Sequence, residues 1–317
     1  ICDGAVQTFT ITVNPTGQVN DPLDQLVCNG SPTATVTFVT TNTVGTTTYT
    51  WANDLTSIGL GASGSGDIAS FNAVNAGTAP VMATITVTPH FAYGGKTCDG
   101  PTQSFTITVN PKGQVNNPGN KVVCNGLPVA AINFTTNNTG GTTTYTWTNS
   151  DPTIGLAASG SGNIALFNAI NLGTSPVIAT IAVTPHFDNG APICDGPVQT
   201  FTITVNPTGQ VNDPSDQVVC DGSLTASVFF GTNNSGGTTT YTWTNDQAGI
   251  GLAAIGSGNI GSFTAVNAGT APVVATVTVT PHFTNGGTTC DGPTQSFTIT
   301  VNPKGQVNNP GNQVLCT

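Results

Sequence analysis

Cysteines stand at positions 2, 28, 98, 124, 194, 220, 290 and 316, in steps that alternate between 26 and 70 residues, so the chain repeats every 96 residues. A period of that length means one structural unit copied in tandem, and every other reading has to fit inside it. The pairs Thr50-Trp51, Thr146-Trp147 and Thr242-Trp243 keep the register, as does Thr-Pro-His-Phe at 88–91, 184–187 and 280–283. The string FTITVNP recurs at 9–15, 105–111, 201–207 and 297–303. A longer period of 192 lies beneath: TGQVNDP follows at 16–22 and 208–214, but KGQVNNP at 112–118 and 304–310. Duplication of a two-repeat unit accounts for this, and points to selection for length.

Within a repeat, 35–38, 48–51, 84–87 and 105–109 alternate Thr with a large apolar residue. That pattern buries one face of a strand and turns hydroxyls outward on the other. Turn formers separate the runs: Asn29-Gly30, Val44-Gly45, 59–66, 76–80 and Tyr93-Gly94-Gly95. The chain has neither Glu nor Arg, and only 4 Lys beside 14 Asp. Helix surfaces rely on those missing residues, so helices are not expected. About seven short strands in roughly 90 residues predict an all-β fold of tandem immunoglobulin-like sandwiches in an extended array, with the Trp in each core. Asn-Pro marks the boundaries, since proline lacks the N–H that a central strand needs. The expected units are the last strand of a preceding repeat (1–15), repeats at 16–111, 112–207 and 208–303, and the start of a following one (304–317).

A net charge of −10 without Arg provides no basic face, which argues against nucleic acid and anionic membranes as partners. No apolar run is long enough to span a membrane, and residues 1–30 lack the regions of a signal peptide. The opening Ile1-Cys2-Asp3-Gly4 falls mid-pattern, so the chain reads as an internal segment of a longer polypeptide.

The strings QLVCNG at 25–30, YTWTN at 145–149, IGLAASGSGNI at 154–164, ATITVTPHF at 83–91 and TCDGPTQSFTITVNP at 97–111 resemble the PKD-like tandem repeats of very large secreted proteins of Bacteroidota-type bacteria. Gliding-motility-associated adhesins exported by the type 9 secretion system are among these. The resemblance covers the whole chain, and it implies immunoglobulin-like domains on an extracellular, cell-surface filament.

Regularly placed cysteines in a chain of secreted character predict disulfides rather than metal ligands, as there is no C-x-x-C pair. Two pairings fit the spacing. One lies within repeats, Cys28–Cys98, Cys124–Cys194 and Cys220–Cys290, leaving Cys2 and Cys316 to neighbouring repeats. The other closes 26-residue loops across boundaries: Cys2–Cys28, Cys98–Cys124, Cys194–Cys220 and Cys290–Cys316. The first is favoured, because strand 104–109 carries the chain about 20 Å away from Cys98 while bridged Cα atoms lie within about 7 Å.

His90, His186 and His282 each occur once per repeat with no evident triad partner, so no catalytic residues and no cofactor are expected. Asp21, Asp24, Asp99, Asp213, Asp216 and Asp291 gather near boundaries, where carboxylates can hold calcium. The second connector, however, carries Asn116, Asn117 and Asn120 instead, and turn formation explains both sets. Gly-Ser-Gly at 64–66, 160–162 and 256–258 lacks the Lys and helix of a phosphate loop. Sequons at Asn29, Asn137 and Asn233 suit surface loops.

The expected function is mechanical: the shaft of an extracellular filament, partnered by neighbouring repeats and other filament copies. Surface polysaccharide or a host surface would be met through other parts of the protein. The alternative is a repeated module that binds surface polysaccharide. It would need exposed aromatics for sugar stacking, and exposure of Trp51, Trp147 and Trp243 separates the two readings.

Overall fold

The computed structural model describes residues 2–315. It is all-β, with one six-stranded sheet in each of the spans 25–110, 121–206 and 217–302. In the first repeat these are an opening strand Gln25–Cys28, a Trp strand Thr46–Asn53 and an edge strand Ser63–Ser65. A long strand Val81–Tyr93, a hairpin strand Lys96–Asp99 and a closing strand Gln103–Asn110 complete it. The order is opening, closing, long, Trp, edge, and the hairpin strand extends the far end of the long strand. Opening and closing strands pair in parallel and the rest antiparallel. A sheet of this order, packed on a second layer, is the immunoglobulin-like sandwich.

The period-2 pattern sets the register. Along the long strand, Ala83, Ile85, Val87 and Phe91 are fully buried, while Thr84, Thr86, Thr88 and His90 are half-buried on the other face. The closing strand does the same with Phe105, Ile107 and Val109. Each repeat has its own core cluster, so each buries its apolar face without help from its neighbour.

The facing layer departs from expectation. Residues 35–38 form no strand; the layer is held by isolated bridges, Val36 to Ile68 and Pro32 to Asn72. Val36 and Phe38 are nevertheless buried. Side chains intercept the backbone donors that a ladder would use: the Phe38 N–H donates to Asp67 Oδ1 (2.9 Å) and the Val39 N–H to Asn20 Oδ1 (2.8 Å). Asn163 and Asn259 take the equivalent bonds from Phe134 and Phe230.

Gly-Ser-Gly is a packing element. Gly64, Gly160 and Gly256 sit in the edge strands beneath the Trp rings, where a Cβ would fall inside the indole of Trp51, Trp147 or Trp243. Residues 2–14, expected as a strand, form none; Phe9, Ile11 and Val13 are 84%, 78% and 87% exposed. No long strand stands beside them.

Candidate functional site: the joints between repeats

The cysteines correct the expected pairing. The disulfides are Cys28–Cys194 and Cys124–Cys290, each joining one repeat to the next with Cα atoms 5.5 Å apart. Cys28–Cys98, Cys124–Cys194 and Cys220–Cys290 do not form, and Cys2, Cys98 and Cys220 are free. Strand register gives the reason. Cys28 lies opposite Asn110, at the end of the sheet where Val109 meets Val81, whereas Cys98 lies opposite Phe91. The ten residues from Val81 to Phe91 separate those ends by roughly 33 Å at about 3.3 Å per residue, far beyond the reach of a disulfide. The two cysteines of one repeat therefore face opposite neighbours. The 26-residue pairing fails as well, since Cys194 and Cys124 are taken. Cys316 lies outside the described residues.

Around each staple the two repeats share further contacts. At the first joint, Asn189 Nδ2 donates to Asn110 Oδ1 (3.2 Å), and the Leu26 side chain lies 3.2 Å from where a Cβ on Gly190 would sit. At the second, Asn285 Nδ2 donates to Asn206 Oδ1 (2.9 Å), Asn206 Nδ2 donates to Asn285 O (2.9 Å), and Val122 lies against Gly286. The glycines have φ of 95° and 58°, so this turn needs residues without a Cβ both for its backbone and for the approach of the neighbour.

A second patch closes each joint. The Thr139 N–H donates to Thr78 O (2.9 Å) and Ser235 to Thr174 O (2.9 Å), while Gly140 and Gly236 pack on Pro80 and Pro176. Buried asparagines shape the loops that present these groups. Asn75 Nδ2 donates to Ala79 O and Val109 O, and its Oδ1 accepts from Gly77 N–H; Asn171 and Asn267 repeat the arrangement. On the receiving side, Asn138 Oδ1 accepts from Gln114 N–H while its Nδ2 bonds Lys112 O and, across the joint, Thr78 O (3.3 Å). Asn234 does the same with Thr174.

Behind the staple lies a feature that the residue types had not signalled. His90 Nδ1 meets Asp99 Oδ1 at 2.7 Å and its Nε2 meets Thr50 Oγ1 at 2.8 Å. His186 with Asp195 and Thr146, and His282 with Asp291 and Thr242, recur at 2.6 and 2.8 Å. The order Asp–His–Thr is that of a catalytic relay, but here it lies along the outer face of the sheet and ties hairpin, long and Trp strands together beside the cysteine. The Asp, expected in a turn, instead ends the hairpin strand at Asp99, Asp195 and Asp291. A two-residue Gly94-Gly95 hairpin turn puts His90 directly opposite Asp99, so the pair follows from the turn register.

The boundary carboxylates have other work. Asp24 Oδ1 accepts from Thr106 N–H (2.6 Å) and Asp216 Oδ1 from Thr298 N–H (2.6 Å), fastening opening strand to closing strand. Asn120 accepts from Thr202 N–H (2.9 Å) in the same way, which explains the Asp/Asn exchange between connectors. Among the described residues no group of three or more His, Cys, Asp or Glu is placed to hold a metal. Trp147 and Trp243 are buried and Trp51 is half-buried, so the indoles pack inward and give sugars no stacking platform. Their Nε1 atoms, buried in all three repeats, have no hydrogen-bond partner.

Among the described residues no helix is long and apolar enough to cross a membrane, and disulfides are characteristic of oxidising compartments. No protein-family model matches the chain, and no curated protein matches it either. Among solved structures, mouse cadherin-23 EC22-24 is similar at 13% identity and TM-score 0.42, covering 92% of this chain and 100% of that one. Human CDH23 EC21-23 is similar at 13% identity and TM-score 0.38 (90% and 100%). The three N-terminal domains of the bacteriophage RB49 outer capsid protein Hoc are similar at 12% identity and TM-score 0.39 (92% and 99%). At these scores the likeness assigns the chain to no family.

Proposed function

We propose that this chain is a load-bearing shaft segment of an extracellular, cell-surface filament or adhesin, in which disulfides carry tension from repeat to repeat. The observation that supports it is the placement of both staples between repeats rather than within them. A staple inside one sandwich would protect that sandwich alone. Staples across joints give the main chain a bypass: every peptide bond between Cys28 and Cys290 is spanned by at least one disulfide loop. A single backbone cut there leaves the molecule in one piece.

The bypass also limits stretching. Pulled from Asn14 and Asn302, the shortest covalent route passes 28 to 194, back to 124 and on to 290, so about 96 residues bear load in place of about 288. At about 3.4 Å per residue that caps extension near 330 Å instead of roughly 1,000 Å. Rigid joints with amide pairs on one side and a proline loop on the other suit a shaft that transmits force. The resemblance to PKD-like repeats extends the reading to large adhesins of the gliding-motility type, and no residue is assigned a catalytic role. Single-molecule stretching of the oxidised and reduced chain tests the reading. We expect the contour length to grow about threefold on reduction; equal lengths in both states would overturn it.

A further inference from the structure

We propose that Asn285 is a self-modification site. Its side chain cyclises onto the nitrogen of Gly286, loses ammonia and becomes aspartate or isoaspartate, which unlocks the second joint while the Cys124–Cys290 disulfide still holds the repeats together. The chemistry is independent of whether the filament bears load.

Asparagine followed by glycine is the step most prone to this reaction, because a residue without a Cβ leaves its backbone nitrogen open to the side-chain carbonyl before it. The chain has four such steps, Asn29-Gly30, Asn125-Gly126, Asn189-Gly190 and Asn285-Gly286. In three of them the glycine N–H is already engaged. Gly30 donates to Ala73 O (2.7 Å), Gly126 to Ala169 O (2.8 Å) and Gly190 to Asp188 Oδ1 (2.9 Å). Asn29 and Asn125 are held further through Oδ1, which accepts the N–H of Asn75 (3.0 Å) and of Asn171 (2.8 Å). Gly286 differs. It opens the two-residue turn between Asn285 and Thr288, is exposed, and its N–H has no partner among the described residues. The place of Asp188 is taken in the third repeat by Thr284, whose hydroxyl is bonded to that of Thr289 instead (2.9 Å).

Hydroxide removes the Gly286 amide proton, the nitrogen bonds to Asn285 Cγ, and Nδ2 takes a proton from water and leaves as ammonia, closing a cyclic imide. Water then opens the ring. Attack at Cγ restores the main chain and leaves an aspartate; attack at the backbone carbonyl carbon leaves the chain running through the side chain as isoaspartate. One water enters and one ammonia leaves, with no oxidant and no cofactor.

The product cannot close the joint as before. Asn285 Nδ2 donates to Asn206 Oδ1 (2.9 Å), and a carboxylate in its place sets oxygen against oxygen. Asn206 cannot turn its amide to suit, because its Nδ2 is committed to Asn285 O (2.9 Å) and Thr288 O (3.5 Å). Isoaspartate also lengthens the main chain just before the turn that sets the register from Asn285↔Thr288 to His282↔Asp291, and so disturbs the strand that carries Cys290. The first joint, where the Gly190 N–H is occupied, keeps its amide contact. Age thus turns the second joint into a tethered hinge, and the change runs one way.

The test is to age the intact, oxidised chain in mildly alkaline buffer and map aspartate, isoaspartate and disulfides by peptide mass spectrometry over time. We expect conversion at 285 to outrun that at 29, 125 and 189 by roughly fivefold or more, the factor that breaking one hydrogen bond first imposes. Hydrogen exchange on the same samples reads the joints away from the turn. The Ser235 amide, which donates across the second joint to Thr174 O, should lose protection in step with conversion while Cys124–Cys290 stays intact; Thr139, which makes the same bond to Thr78 O at the first joint, should keep its own. Asn285→Gln, whose ring closure requires a larger and slower-forming ring, should abolish both changes. Thr284→Asp, which supplies the carboxylate that Asp188 gives Gly190, should slow conversion at 285 severalfold. Conversion at 285 no faster than at 189 overturns the proposal, and so does conversion that leaves Ser235 as protected as before.

Discussion

The two joints use the same parts and are not equally well made. At the second, the staple hangs from a four-residue hairpin strand, Thr288–Asp291, paired to the long strand from His282↔Asp291 to Asn285↔Thr288. At the first, the hairpin strand is only Cys194–Asp195, with two pairs. The cause is local sequence: FTNGGTTC at 283–290 becomes FDNGAPIC at 187–194. Pro192 has no N–H to offer the ladder, and Asp188 Oδ1 takes the Gly190 N–H into a side-chain turn (2.9 Å). The loss reaches across the joint. Asn206 Nδ2 finds carbonyls on Asn285 and Thr288 of the following hairpin, but Asn110 Nδ2, its counterpart, is buried without a partner. A staple is thus only as firm as the strand that carries it.

The largest expected effect comes from removing a staple. Each closes a loop of 166 residues, worth about 5 kcal/mol in the chain-entropy model. Cys290→Ser and Cys194→Ser should therefore cost similar amounts in denaturant titration. They should differ in what remains: the second joint keeps its reciprocal amide pairs and stays docked, while the first opens. Hydrogen exchange at the Asn206–Asn285 and Asn110–Asn189 contacts would read this, and equal loss of protection at both would erase the distinction.

Next come the asparagines. Asn206→Ala removes bonds to Asn285, and leaves the carbonyls of Asn285 and Thr288 without that donor, at a cost of about 1–3 kcal/mol; Asn110→Ala gives up a single bond and also removes an orphaned donor, so its cost should be under about 1 kcal/mol. Thermal melts of the two variants decide the order. In the reverse direction, giving the second repeat the 283–290 hairpin sequence should lengthen its hairpin strand and stabilise the first joint by about 1 kcal/mol. No gain would mean that strand length is not what separates the joints.

What the sequence made legible, and what it hid, follows from periodicity. Alternation in 83–88 and 105–109 placed Ile85, Val87, Phe105 and Ile107 in the core because a period of two leaves one choice of face. The facing layer was misjudged because Asp67 and Asn20 replace ladder partners through side-chain bonds that propensity does not register. The staples were hidden for a different reason. In a chain that repeats every 96 residues, separations of 70 and 166 are equally periodic, so spacing cannot tell a bond within a repeat from one to the next. Only the parallel pairing of Cys28 beside Asn110, at the sheet end remote from Cys98, decides it. Parallel pairing of a four-residue opening strand has no local turn to announce it.

The smallest effect separates the repeats by acid. Asp24 accepts the Thr106 N–H, and those hydrogen bonds to its charged form hold its carboxyl below the ordinary range. Its folded-state value lies below the unfolded one, so its contribution is complete above the unfolded value, about 3.9, and fades as pH falls through the folded value. Asn120 makes the same bond to Thr202 in the second repeat and carries no ionisable group. Acidification should therefore loosen Gln25–Cys28 from Gln103–Asn110 while leaving Lys121–Cys124 on Gln199–Asn206 unaffected. Because Cys28 ends the first of these strands, the first joint, already the weaker, should be the one that acid frays. Amide exchange at Thr106 and Thr202 below about pH 4 reads the contrast directly. Asp24→Asn should make the two repeats respond alike; if Thr106 still exchanged faster in that variant, the carboxylate would not be the cause.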